Sequence, residues 1–101
     1  MRVLHLTLKK KWFDMIASGE KKEEYRELKP YWHKRLMGRT YDVIKFRNGY
    51  SRNAPEITVG LKEIVSGFGI TEWGAPEQQS VYILKLGKVI NSVIEDKERV
   101  I

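Results

Sequence analysis

Cysteine is absent from this 101-residue chain. No disulfide framework can form, and there is neither a thiolate nucleophile nor a thiolate metal ligand. The two histidines, His5 and His33, have no acid at a diagnostic metal-ligand spacing. No metal and no cofactor is therefore assigned. A G-x-G-x-x-G element, a phosphate-binding loop and a nucleophile elbow are all missing. No apolar run approaches the roughly 20 residues needed to span a bilayer. The opening "MRVLHLTLKKK" runs apolar first and basic second, the reverse of a secretory signal. A cytoplasmic protein with no membrane contact is expected. Repeats, linkers and low-complexity segments are also lacking. The length fits one domain over residues 1–101, with a peripheral tail over 91–101.

What is present is charge and aromatic surface. The net charge of +6 is unevenly spread. Residues 1–52 hold fourteen Lys/Arg against six Asp/Glu, whereas residues 53–101 hold five against seven. The basic half is interleaved with Trp12, Phe13, Tyr25, Tyr31, Trp32, Tyr41, Phe46 and Tyr50. Such a surface suits an anionic partner with flat rings to stack on, and nucleic acid fits that description. The bland alternative is a positive surface that serves solubility alone.

Along the chain, "RVLHLTL" alternates, placing Leu4, Leu6 and Leu8 on one face of a strand. "KKKWFDMIASG" predicts a short amphipathic helix. Trp12, Met15 and Ile16 form its stripe, Phe13 and Ala17 lie beside it, and Gly19 ends it. Lys9, Lys10 and Lys11 at its start oppose the helix dipole; either they face an anion or they simply reach into solvent. Residues 20–28 read as a strand, with Glu24, Arg26 and Leu28 on one face and Glu23, Tyr25 and Glu27 on the other. A helix there would set like charges at i, i+4. "KPYWHKRLMG" predicts a second short helix with Pro30 in its first turn, Trp32 and Leu36 inward and Lys34 and Arg35 wet. Strands follow over 41–49, 56–69 (with Gly60 a possible bulge) and 80–90. Asn48-Gly49 predicts a hairpin turn, residues 70–79 a loop, and the tail carries a weak helical pattern. Together these predict an α+β domain, a small β-barrel of about five strands with two short helices in the N-terminal half.

Two clusters carry candidate chemistry. "SGEKKEEYREL" puts seven charges in eleven positions. Within it, Gly19, Lys21, Glu24 and Arg26 spell G-x-K-x-x-E-x-R. At strand spacing Glu24 and Arg26 project together, as a carboxylate–guanidinium pair. Lys21 is a point-charge ligand for phosphate or, if desolvated, a general base. The alternative is a strand with exposed ion pairs. The second cluster, "KFRNGYSRNAP", offers Arg47, Asn48, Tyr50, Arg52 and Asn53, types that stack on and hydrogen-bond to unpaired bases.

The G-x-K-x-x-E-x-R element, with "VIKFRNGYS" after it and the closing "VYILKLG", resembles the ASCH (activating signal cointegrator homology) domain family over roughly residues 3–90. The resemblance implies a PUA-like β-barrel. It also implies a cleft between barrel and helices that binds RNA or a modified nucleoside, with Lys21, Glu24 and Arg26 as site residues. Some small bacterial members are amidohydrolases that remove the acetyl group of N4-acetylcytidine. They use the motif lysine, a threonine at the position of Glu24 and a downstream glutamate. This chain departs from them at Glu24, and Glu63, Glu72 and Glu77 are the candidates for the downstream acid.

The leading expectation is an RNA- or modified-nucleotide-binding domain, favouring a single-stranded or modified base. Its site comprises Lys21, Glu24 and Arg26, with Arg47, Asn48, Tyr50 and Arg52 at the rim and Lys9, Lys10 and Lys11 on phosphates. The alternative is a nucleoside- or RNA-directed hydrolase with Lys21 and Glu24 as catalytic groups. A third reading is a protein-interaction domain.

Overall fold

The computed structural model describes residues 1–93. The order is β1 (Val3–Leu8), α1 (Lys10–Ala17), β2 (Glu23–Glu27), α2 (Pro30–Leu36), β3 (Val43–Asn48), β4 (Glu56–Gly67) and β5 (Val81–Val93), with a 3₁₀ turn at Thr71–Trp73. The strands form one sheet in the order β1-β3-β4-β5-β2, curled into a half-barrel. β1 runs parallel to β3 and the other pairings are antiparallel. The chain leaves β1 at one edge, lays down β2 at the opposite edge, then returns to β3 beside β1. Two edge strands therefore flank an open seam, and each helix starts from one of them.

The expected alternation holds in β1, where Leu4, Leu6 and Leu8 are all buried. They join Phe13, Ile16, Leu36, Ile44, Phe46, Ile57, Val59, Tyr82, Leu84 and Leu86 in the main core. In α1 the inward pair is Phe13 and Ile16, not the Trp12–Met15–Ile16 stripe. Trp12 packs at the edge of the core, because its ring lies against Gly74 on a distant loop. Helix α1 ends as expected, with Gly19 at φ +85°. Pro30 opens α2 and only Leu36 of that helix is fully buried. Trp32 is half-buried against the core.

Two expectations are corrected. Asn48-Gly49 is not a two-residue hairpin. Asn48 stays in β3, its N–H donating to the Pro55 carbonyl (3.0 Å), and β4 begins only at Glu56. A type I′ turn needs positive φ at both central residues, and of this pair only Gly49 has it, at +92°. The tail's helical pattern is overridden through Val93, which pairs with Glu56 as β5 continues; the rest of that pattern lies outside the described residues. The irregularity expected at Gly60 is present, with register shifts between Thr58 and Glu63.

A second, smaller core of Tyr25, Ala75, Val81 and Ile83 lies on the other face of β2 and β5, beneath the 68–79 loop. The loop fits tightly here. A Cβ at Gly69 would sit 2.4 Å from the Tyr25 ring and 2.7 Å from the Ala75 methyl. Gly69→Ala is expected to lower the unfolding free energy by about 1–3 kcal/mol through overpacking, as read by urea titration.

Candidate functional site

Strand β2 positions the site. Glu24 is in register with Leu84 and Tyr25 with Ile83, so alternation sends Glu24 to the main-core side and Tyr25 to the smaller core. A carboxylate on a core face needs partners. Lys21 Nζ lies 3.2 Å from Glu24 Oε1, and Arg26 Nη1 lies 2.6 Å from Oε2. The three side chains are only 1 %, 6 % and 18 % exposed respectively. This is a desolvated ionic cluster, unlike a row of surface ion pairs.

Each cation does a second task. Lys21 Nζ also donates to the Trp73 carbonyl, and it sits 4.7 Å from the Tyr25 ring centre and 5.2 Å from that of Trp12. Two oxygens and two ring faces surround it. Burial lowers its pKa below the usual lysine value of 10.5, against the opposing pull of Glu24. Arg26 Nη2 donates to the Thr7 carbonyl (3.3 Å), bridging the seam from β2 to β1. Its guanidinium lies 5.2 Å from the Trp32 ring centre. Tyr25 completes the anchoring. Its hydroxyl donates to Glu23 (2.8 Å) and accepts from the Ile70 N–H (2.9 Å), and burial pushes its pKa up. Glu23 is thereby half-buried and engaged.

A cavity of about 650 Å³ opens above this cluster. Glu24, Tyr25 and Arg26 line it from β2, and Thr7, Leu8, Lys9, Lys10 and Trp12 from β1 and the start of α1. Asn48, Gly49 and Tyr50 close one side, Trp73 and Gly74 the other. Gly74 is at φ +102°, with the Trp12 ring 3.0–3.3 Å from where its Cβ would be. This close approach sets the Trp12 ring against the segment that follows Trp73. Tyr50 is 88 % exposed, a free ring at the mouth.

The expected site residues divide three ways. Glu24, Arg26, Asn48, Tyr50, Lys9 and Lys10 share the cavity. Lys21 supports its floor but does not line it, because its ammonium is spent on Glu24 and Trp73. Arg47, Arg52 and Lys11 lie off the lining. Arg47 pairs with Glu56 (Nε to Oε2, 3.3 Å) and donates to the Ser51 carbonyl. Lys11 folds over Trp12, 4.7 Å from its ring centre. None of Glu63, Glu72 and Glu77 lines the cavity. Sequence reasoning missed Trp73 and Gly74, about fifty positions from the motif. The W-G pair was visible, but nothing local ties it to Lys21.

Among the described residues no group of three or more His, Cys, Asp or Glu could hold a metal ion, and no helix is long and apolar enough to cross a membrane. Comparison with protein-family models, curated proteins and solved structures returned no match.

Lys21→Met is expected to lower the unfolding free energy by about 3–5 kcal/mol, because it strands a buried carboxylate and the Trp73 carbonyl. A pH signature should accompany the loss. Native Lys21 gives up its proton below 10.5, so between its native pKa and 10.5 the unfolded chain holds more protons. Stability from this group therefore rises with pH across that window. Urea titrations repeated over pH should show that rise in the wild type and a flatter profile in Lys21→Met.

Proposed function

We propose that the chain binds a nucleotide base of RNA, single-stranded or modified, in the cavity over Glu24 and Arg26, as a divergent ASCH-type domain. The observation that carries this reading is the cavity's composition. An ionic floor, aromatic residues on three sides and lysines at the mouth converge in one space of about 650 Å³. That volume lies in the range of small-molecule sites. Lys21 and Arg26 each take one oxygen of Glu24, and a carboxylate has about four acceptor positions. Acceptor capacity remains for an amino group on a base edge. Trp12, Trp73 and Tyr50 are stacking surfaces of the kind that hold unpaired bases. Lys9, with no ion pair among the described residues, would meet phosphate, and Lys10 beside it would do so from its pair with Asp14.

A second reading, a nucleoside-directed amidohydrolase, draws support from the lowered pKa of Lys21, a property of catalytic lysines. Here Lys21 would be the base and Glu24 the acid–base group. The Lys21 ammonium is enclosed, which weighs toward the binding reading. Release of acetate from N4-acetylcytidine by the folded wild type would decide for the enzyme.

The binding reading is tested with short single-stranded RNA at low salt. Tyr50→Ala removes a ring that is nearly all in solvent, so folding should be unaffected. It is expected to weaken binding by about 1–3 kcal/mol, the usual worth of one base–aromatic stack. Undetectable RNA affinity in the wild type at low salt would overturn the proposal.

A further inference from the structure

We propose that a second basic surface, built by Lys22, Lys62 and Lys88 at the far end of α1, carries the phosphodiester backbone of an RNA strand whose base enters the cavity over Glu24. This rests on the nucleotide-binding reading and extends it from a base to a polymer.

The three lysines, together with the enclosed Lys21 that is paired to Glu24, line a separate cavity of about 370 Å³ beside Ile16 and Gly19. No acidic residue lines it. Some other lysines have acid company. Lys10 pairs with Asp14 and Lys29 with Glu27, and Lys85 stands in register with Glu23 and Glu63 on its two neighbouring strands. Among the described residues, no ion pair involves Lys22, Lys62 or Lys88. Three exposed cations gathered without an acid repel one another, an arrangement that favours an anionic occupant.

The backbone is adapted here as well. The β4–β5 register breaks between Thr58 and Glu63, leaving Lys62 outside the paired positions. Gly60 and Gly87 face each other at the break, where a Cβ on Gly87 would lie 3.5 Å from the Gly60 carbonyl oxygen. Bulges re-aim side chains. Val89 lines the same cavity and is exposed, an apolar margin for sugars or bases.

Helix α1 links the two features. Lys10 at its start lines the first cavity and Ile16 near its end lines the second. At 1.5 Å per residue its eight residues span about 12 Å, a distance that a few nucleotides cover. The chemistry favours phosphate over protein carboxylates. All three groups are lysines, point charges suited to phosphate, with no arginine fork of the kind that recognises carboxylates in two-point contacts.

The experiment compares a 12-nucleotide single-stranded RNA with a trinucleotide, by fluorescence anisotropy, on three proteins. They are the wild type, the triple variant Lys22→Ser, Lys62→Ser, Lys88→Ser, and Tyr50→Ala. Circular dichroism checks that each is folded. The triple variant is expected to bind the trinucleotide as the wild type does and to lose affinity for the 12-mer. Three phosphate contacts correspond to a salt slope steeper by about 2. Between 50 and 200 mM salt the wild type should therefore lose roughly 20-fold more affinity for the 12-mer than the triple variant does. An unchanged slope in the triple variant, with Tyr50→Ala impaired, would overturn the backbone surface and leave the cavity reading standing. A reduced slope in the triple variant with Tyr50→Ala unimpaired would support the surface and count against the cavity. Equal binding of a poly-glutamate peptide of matched charge would reassign the lysines to an acidic protein partner and overturn the proposal. So would a wild type that binds neither RNA.

Discussion

Glu24 is a carboxylate on the core side of an edge strand, and much of the surrounding structure follows from keeping it paired. Buried ions cost several kcal/mol each unless charge and hydrogen bonds compensate. Each oxygen of Glu24 has a cation. Those cations, once drawn inside, bring needs of their own. Lys21 meets its need at the Trp73 carbonyl, which ties the 70–75 loop to β2. Arg26 meets its need at the Thr7 carbonyl, which ties β2 to β1. One buried charge thus couples three segments that are far apart in sequence. Well-packed apolar residues would often stabilise such a position as well or better. The cluster is therefore poorly explained as a stabilising device and better explained by its place on the floor of a cavity.

The sequence makes some of this legible and hides the rest, for physical reasons. Alternation in β1 and β2 identifies which side chains share a face, because the pleat has period two. The spacing alone therefore brings Glu24 and Arg26 to one face. Glycine chemistry likewise marks the end of α1. Depth is another matter. Spacing could not tell that Lys21 is enclosed while Lys22, its neighbour, is exposed. That difference depends on Trp73, Tyr25 and Trp12 converging on one ammonium. The same limit explains why Trp12 looked like a core residue of α1. Its periodicity fits the stripe, but its ring is claimed by Gly74 from outside the helix. Arg47 reads as a guanidinium offered to a base, yet Glu56 faces it across the β3–β4 ladder. Local pattern reports direction, whereas long-range partners decide availability.

The seam between β1 and β2 makes the cavity a consequence of the topology. An unclosed sheet leaves edge strands whose backbone groups lack ladder partners. On β1 the Thr7 carbonyl finds the Arg26 guanidinium, and Thr7 and Leu8 also line the cavity. The wall thus combines strand-edge backbone, which needs partners, with a carboxylate that retains acceptor positions. A bare phosphate supplies acceptors alone and leaves the spare acceptor positions of Glu24 without a donor. A planar group carrying donors beside acceptors matches both walls, and its faces can lie against Trp12, Trp73 or Tyr50. The same opening that keeps this small sheet from closing therefore exposes donor-seeking and acceptor-seeking groups side by side at its floor, with Lys9 and Lys10 at the rim.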